Sequence, residues 1–190
     1  MRRRMIGGQT VSNGIYILHT NGKLYTSDKW NYSWRNDAVG VALISDNSSF
    51  VISGIELKNR SWSNTTGLIQ GVTTITSSNE AKKDFNGFQN TQSIAEYTHA
   101  SAAYECTVTQ FKNGQMGYLA SVGEWLDEIN RCMSLIDGLD IDEGTTSYWT
   151  STQYNSEKAW LMTYNGNEFY PNDERKIVSF YAIRVISQLR

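Results

Sequence analysis

Proline is almost missing from this sequence: there is one, Pro171, in 190 residues, where average usage would give roughly ten. A proline-rich stalk or rigid linker is therefore excluded. Cysteine is nearly as scarce. Cys106 and Cys132 cannot make a disulfide framework, and both read as small buried apolar side chains in helical segments. The two histidines, His19 and His99, lie far apart with no HExxH or CxxC beside them, so no zinc centre or other metal is expected. A basic excess is lacking too. The 17 Lys and Arg against 19 Asp and Glu give a net charge of −2, not the footprint of a nucleic-acid protein. No run approaches the roughly eighteen apolar residues of a membrane span, so no membrane insertion is expected. The basic start Met1-Arg2-Arg3-Arg4 has no apolar stretch behind it to make a secretory signal. The expected route is synthesis in the cytoplasm as a soluble chain.

What fills the sequence instead is Ser, Thr and Asn, at 53 positions, together with 12% aromatic residues. That mixture describes a folded, strand-rich and loop-rich domain rather than a disordered chain. The length suits one domain with a sizeable core. The division expected is a basic N-terminal segment, residues 1–13, followed by a single domain over 14–190.

The first third reads as short strands and turns. Asn21-Gly22 stands between the apolar runs Gly14–Leu18 and Lys23–Tyr25, the strongest short-range signal for a hairpin with a type I′ turn. Val39–Ser45 and Phe50–Ser53 repeat the pattern around a longer turn, and Trp30, Tyr32 and Trp34 alternate at period two. The middle predicts two helices. Ser93 to about Val108 is Ala-rich, and over Ser121 to about Leu139 the residues Val122, Trp125, Leu126, Ile129, Met133 and Ile136 recur at helical spacing. Ser121 and Glu124 form a capping box at the start of the second, and Gly138 a stop at its end. The last third returns to strands at Ser147–Thr152, Ala159–Tyr164 and Ile177–Ile186, with a turn at Asn165-Gly166. Strands, two helices, then strands predicts an α+β fold.

Enzyme motifs are absent: no GxSxG, no phosphate-binding loop, no dinucleotide fingerprint, and no cofactor is implied. The acids Asp140, Asp142 and Glu143 read as a solvated loop, and Asp84–Asn90 lacks the spacing and terminal Glu of a calcium loop. The unusual segment is C-terminal. Seven aromatics fall within the 23 residues from Tyr148 to Tyr170, interleaved with Asn155, Ser156, Asn165, Gly166 and Asn167. Tyr and Trp among Ser, Gly and Asn is the composition of antibody-like contact surfaces. Trp149 and Trp160 are expected to be buried scaffold. The contact set expected is Tyr154, Asn155, Glu157, Lys158, Met162, Tyr164, Asn165, Asn167, Glu168, Phe169, Tyr170 and Asn172.

Several of these stretches form a recognisable series. Gly117-Tyr118-Leu119-Ala120-Ser121-Val122-Gly123-Glu124-Trp125 opens a helix, followed by Tyr148-Trp149-Thr150-Ser151-Thr152, Ala159-Trp160, Asn165-Gly166 and Ala182-Ile183-Arg184-Val185. The series resembles the YWSST…AW…NG…VRAV signature of bacterial and phage C-type-lectin-like domains, with Ala120 where proline is usual. The resemblance implies a C-type-lectin-like fold, with two helices beside a mixed, short-stranded sheet. It further implies a display protein of the kind found in diversity-generating retroelement systems, with a variable region over 148–187. On this reading the chain is a non-enzymatic, virion-associated receptor-binding protein of a phage or prophage. Its partners would be a host-cell surface protein or glycan, other virion proteins, and further copies of itself. The alternative is an undiversified tail or baseplate subunit. The Glu-Pro-Asn and Gln-Pro-Asp patterns of calcium-dependent sugar binding are missing, so binding is expected to be metal-independent. A formylglycine-generating enzyme, which shares that broad fold, needs cysteines in a C-terminal active site, and none follows Cys132.

Overall fold

The computed structural model describes residues 4–6, 8–46, 49–138, 147–165, 168–179 and 181–189. In the N-terminal part run β1 (Arg4–Ile6), β2 (Gln9–Val11), β3 (Gly14–His19), β4 (Leu24–Tyr25), β5 (Ala38–Ile44) and β6 (Ser49–Arg60). Then come α1 (Ser78–Ala81), α2 (Gly87–Tyr97), α3 (Ala102–Val108), β7 (Tyr118–Leu119), α4 (Val122–Glu124) and α5 (Asn130–Gly138). The chain closes with β8 (Ser147–Gln153), β9 (Lys158–Tyr164), β10 (Phe169–Arg175) and β11 (Tyr181–Gln188). No helix among the described residues is long and apolar enough to cross a membrane.

Nine strands make one sheet in the order β10-β9-β8-β11-β6-β5-β3-β4, with β7 also paired to β11. Two antiparallel halves meet where β8 runs parallel to β11 at Ala182 and Tyr148. Both faces of the sheet are buried, which explains why its central strands are apolar at successive positions. Along β9 and β11 the side chains alternate. Ala159, Leu161, Ile183 and Val185 pack on one face with Trp62, Ile94, Ala103 and Cys106. Trp160, Met162, Ala182 and Ile186 pack on the other with Val122, Trp125, Ile129 and Cys132. β1 and β2 form a separate hairpin that sends Ile6 and Val11 into the first core.

The expected α+β, C-type-lectin-like frame of two helices beside a short-stranded sheet is overturned. Among the described residues, strand takes about 40% and helix 27%. The helices are fragments and β6 alone is 12 residues long. The physical reasons are local. The helix expected over Ser93–Val108 breaks at Thr98, whose ψ of 130° is extended, and restarts where the Ser101 hydroxyl accepts the Tyr104 N–H at 3.1 Å. The Ser121–Leu139 helix is interrupted by a π-helical turn over Trp125–Ile129. On the strand side, β6 continues through Gly54 and charged residues to Arg60, and β10 is polar at most positions because it is the sheet's outer strand.

Two local expectations are refined. The Asn21-Gly22 hairpin is present as β3–β4, but only Gly22 has a positive φ, 80°. With His19 N–H donating to the Lys23 carbonyl at 3.0 Å, this is a three-residue loop with glycine in the left-handed position, not a type I′ turn. At Ser121 the capping box returns as expected, with the Ser121 N–H donating to Glu124 Oε2 at 2.8 Å.

Glu124 is itself buried, and burial pushes its carboxyl from 4.5 up to about 7, while the Ser121 hydrogen bonds pull the other way. The folded chain therefore holds a proton there that the unfolded chain releases near 4.5. Stability is greatest below the unfolded value and is lost as pH rises through about 7. Glu124→Gln keeps an acceptor for the Ser121 N–H and removes the titration. Urea unfolding from about pH 5 to about pH 8 should cost the native chain roughly 2–3 kcal/mol more than the variant. Parallel pH curves for the two would contradict this.

Candidate ligand-contacting surface

The C-terminal contact set is organised by β9 and β10. Before β9 the chain turns tightly. Asn155 Oδ1 accepts the N–H groups of Glu157 and Lys158, both at 2.8 Å, and the Lys158 carbonyl accepts those of Tyr154 and Asn155, both at 3.1 Å. Asn155 thus builds its own turn, as Asn commonly does. The turn lays the half-buried Tyr154 edge-on against Trp160, with ring centroids 5.1 Å apart. Trp160 is anchored beneath by its indole N–H, which donates to the Ile75 carbonyl at 2.7 Å. The Lys158 ammonium sits 5.9 Å from the Tyr154 ring centroid and pairs with Asp173 on β10 at 2.6 Å. The Asp173 hydrogen bond and charge hold its amine above the ordinary lysine value.

The β9–β10 register divides the rest. Tyr164 stands opposite Phe169, and Tyr170 opposite Thr163. Opposed residues share a face and neighbours alternate, so Tyr164 and Tyr170 project from opposite faces of the sheet. Tyr154, Lys158, Asp173 and Tyr164 belong to one side, and Tyr170 and Asn172 to the other. Only the outer edge of β10 joins them. Tyr164 and Tyr170 are each 40% exposed, and Glu157, Asn165, Glu168 and Asn172 are exposed as well. Met162 and Phe169 do not join them. Both are buried, and Phe169 packs its ring 5.3 Å from Trp125 and 5.9 Å from Tyr148. Phe169 alternates inward against the helical segment, which composition does not reveal. Asn167 lies outside the described residues, as do Gly166 and the acids Asp140, Asp142 and Glu143.

The end of β10 is secured from below. Lys176 is buried, its ammonium donates to the Gly67 carbonyl and Gln153 Oε1, both at 2.6 Å, and it lies 4.8 Å from the Trp62 ring centroid. Burial lowers its amine to about 8. The edge strand therefore rests on a fixed base rather than on a loose loop.

The stretch weighed for calcium, Asp84–Asn90, is structural. Asp84 is buried, and its carboxylate accepts from Thr152 Oγ1 at 2.7 Å, the Asn86 N–H at 3.0 Å and Asn90 Nδ2 at 3.1 Å. Three of the roughly four lone-pair sites of this carboxylate are already in use. Among the described residues no group of three or more His, Cys, Asp or Glu side chains is placed to hold a metal ion.

Sequence reasoning missed a second aromatic feature. Trp30 and Trp34, read there as strand-like alternation, belong to short 3₁₀ turns: Trp30 follows the one at Ser27–Lys29 and Trp34 lies within the one at Tyr32–Asp37. With His19 and Tyr25 they form a half-buried group in which all six ring-to-ring distances fall between 5.4 and 6.0 Å. Spacing gave no sign of it, because His19 and Tyr25 arrive from the hairpin. The four rings pack against one another as a small satellite cluster, and the Trp30 indole N–H lies buried within it with no hydrogen-bond partner among the described residues.

No family model matches the chain, and no curated protein does. A crystal structure of a fimbrial protein from Bacteroides ovatus ATCC 8483 is similar, with a TM-score of 0.63 at 15% sequence identity. The likeness covers 94% of this chain and 49% of the fimbrial chain, so this chain spans about half the length of the protein it matches. The fold is therefore fimbrial-like and β-dominated, in place of the C-type-lectin-like arrangement that the sequence motifs suggested.

Proposed function

We propose that the chain is a non-catalytic binding domain of a displayed surface structure, one that touches its partner across the β10 edge. The observation that carries this reading is the pair of exposed tyrosines, Tyr164 at the end of β9 and Tyr170 on the outer strand β10, on opposite faces of a strand pair whose base is fixed by Lys176 and Trp160. Aromatic side chains bring about 150–250 Å² of contact area each, and Asn165 and Asn172 beside them add hydrogen bonds without the desolvation cost of full charges. The likeness to a fimbrial protein supports an appendage or adhesive setting. It equally supports a partner that is a host-cell surface protein or glycan, a neighbouring subunit, or another copy of the chain.

The test is capture on the immobilised chain of host-cell surface extract, and separately of a second tagged copy. The triple variant Tyr154→Ala/Tyr164→Ala/Tyr170→Ala should lose capture by more than about tenfold with a lowered urea midpoint, because Tyr154 packs on Trp160, and Tyr170→Ala alone should lose part of the capture with its midpoint near that of the native chain. Capture that survives the triple variant would overturn the site. Chelation should leave capture unchanged.

A narrower reading makes the chain a virion-associated receptor-binding protein whose 148–187 segment is diversified. Its support is the Tyr and Asn content of 154–172, without the fold that first suggested it. A near-identical template repeat next to a reverse-transcriptase gene would decide for it.

A further inference from the structure

We propose that a groove at a separate place in the fold binds a neutral oligosaccharide. It lies where the segment before β7 passes over the end of β11, beside α2, and it encloses about 600 Å³, within the ~300–1,000 Å³ range of small-molecule sites. This inference does not rest on the β10 reading.

The chemistry of the lining selects the ligand class. No acidic or basic side chain lines the groove, which is walled by Phe88, Met116 and Tyr118 on the apolar side and by Gln92, Ser187 and Gln188 among its polar groups. A charged ligand would find no counter-charge there, and leaving its own charge unpaired is costly. The apolar wall is an open ring face rather than a deep pocket. Phe88 is 46% exposed, and its ring is held edge-on to Tyr118 at 5.7 Å and 82°. Tyr118 is buried and fixed, its hydroxyl 3.2 Å from Glu124 Oε1. A pyranose ring offers the matching surface: a C–H face for an aromatic ring, with hydroxyls around its rim. The side-chain amides of Gln92 and Gln188 are each able to donate and accept at once, as paired sugar hydroxyls require. No hydrogen bond among the described residues occupies either amide.

An extended peptide fits less well. Peptides that add to a sheet need an unpaired backbone edge, and much of the backbone along and behind the groove is already engaged. The Gln115 carbonyl accepts the Phe111 N–H at 2.8 Å, and the Met116 carbonyl accepts the Ser187 hydroxyl at 2.8 Å. Leu119 exchanges both its backbone groups with the Thr91 hydroxyl, at 3.0 and 3.1 Å. Recognition must then pass through side chains.

The test is saturation-transfer NMR on the full chain with four probes: cellotetraose, mannotetraose and maltotetraose as neutral saccharides, and sialyllactose as an acidic one. A short neutral peptide serves as a fifth. The expected result is transfer to at least one neutral tetrasaccharide, weakened about tenfold by Phe88→Ala and again by Gln188→Ala, and unchanged by Tyr170→Ala. Phe88 and Gln188 are both exposed, so neither variant is expected to disturb folding. No response from any neutral saccharide would overturn the proposal. So would a response that survives Phe88→Ala, one lost in Tyr170→Ala, or one confined to the acidic sugar or the peptide.

Discussion

Replacing Trp149 with alanine is expected to remove about 3–5 kcal/mol of folding stability, against no more than about 0.5 kcal/mol for Tyr170→Ala. Trp149 has no exposed surface, and its indole N–H donates to the Arg60 carbonyl at 2.9 Å. Its ring meets Tyr181 edge-on at 5.2 Å. It thereby joins β8, the end of β6 and the start of β11 at the seam between the two halves of the sheet. The alanine variant loses the packing, leaves a cavity and strands a carbonyl acceptor. Urea midpoints at unchanged slope measure the difference. Equal midpoints for the two variants would contradict the assignment of one residue to the core and the other to the surface.

Arg184→Met is expected to cost a similar 3–5 kcal/mol, by a different route. Arg184 and Glu56 stand directly opposite each other on β11 and β6, and both side chains are fully buried, with Nη2 3.8 Å from Glu56 Oε2. The guanidinium also donates to the Gly54 carbonyl at 3.2 Å and reaches the Tyr148 hydroxyl at 3.4 Å. Removing the cation leaves a carboxylate in the core with its nearest counter-charge gone. Replacing both partners with apolar residues of similar size is often neutral, so Glu56→Leu/Arg184→Met should recover most of the loss. A double variant as unstable as the single one would show that the pair contributes through something other than its charges.

These two residues also mark what the sequence could and could not reveal. Trp149, Trp160, the β3–β4 hairpin and the Ser121–Glu124 capping box were readable because each is a local or compositional signal. Arg184 looked like part of a motif, and nothing local told that its partner would be Glu56, which sits 128 positions earlier and meets it only through strand pairing. The long β6 was hidden because its second half is polar where the chain leaves the core. The first helix was overread, since apolar spacing of 3.6 does not show where Thr98 turns extended, whereas the second runs from Val122 to Gly138 with a π-turn at Trp125 that the spacing did not show. The contact surface suffered similarly. Composition grouped Met162, Phe169, Tyr164 and Tyr170 together, and register then buried the first two and set the tyrosines on opposite faces. The groove beside Phe88 left no mark in the sequence, because its walls come from four segments between Phe88 and Gln188.

Hydrogen exchange of the chain, free and bound to whatever the native surface captures, tests the central claim most directly. The account predicts slowed exchange over residues 154–158, at Tyr164 and Asn165 at the end of β9, and over the edge strand 169–175 that carries Tyr170. Protection absent from those segments, or confined to the Trp30–Trp34 loop, would contradict it.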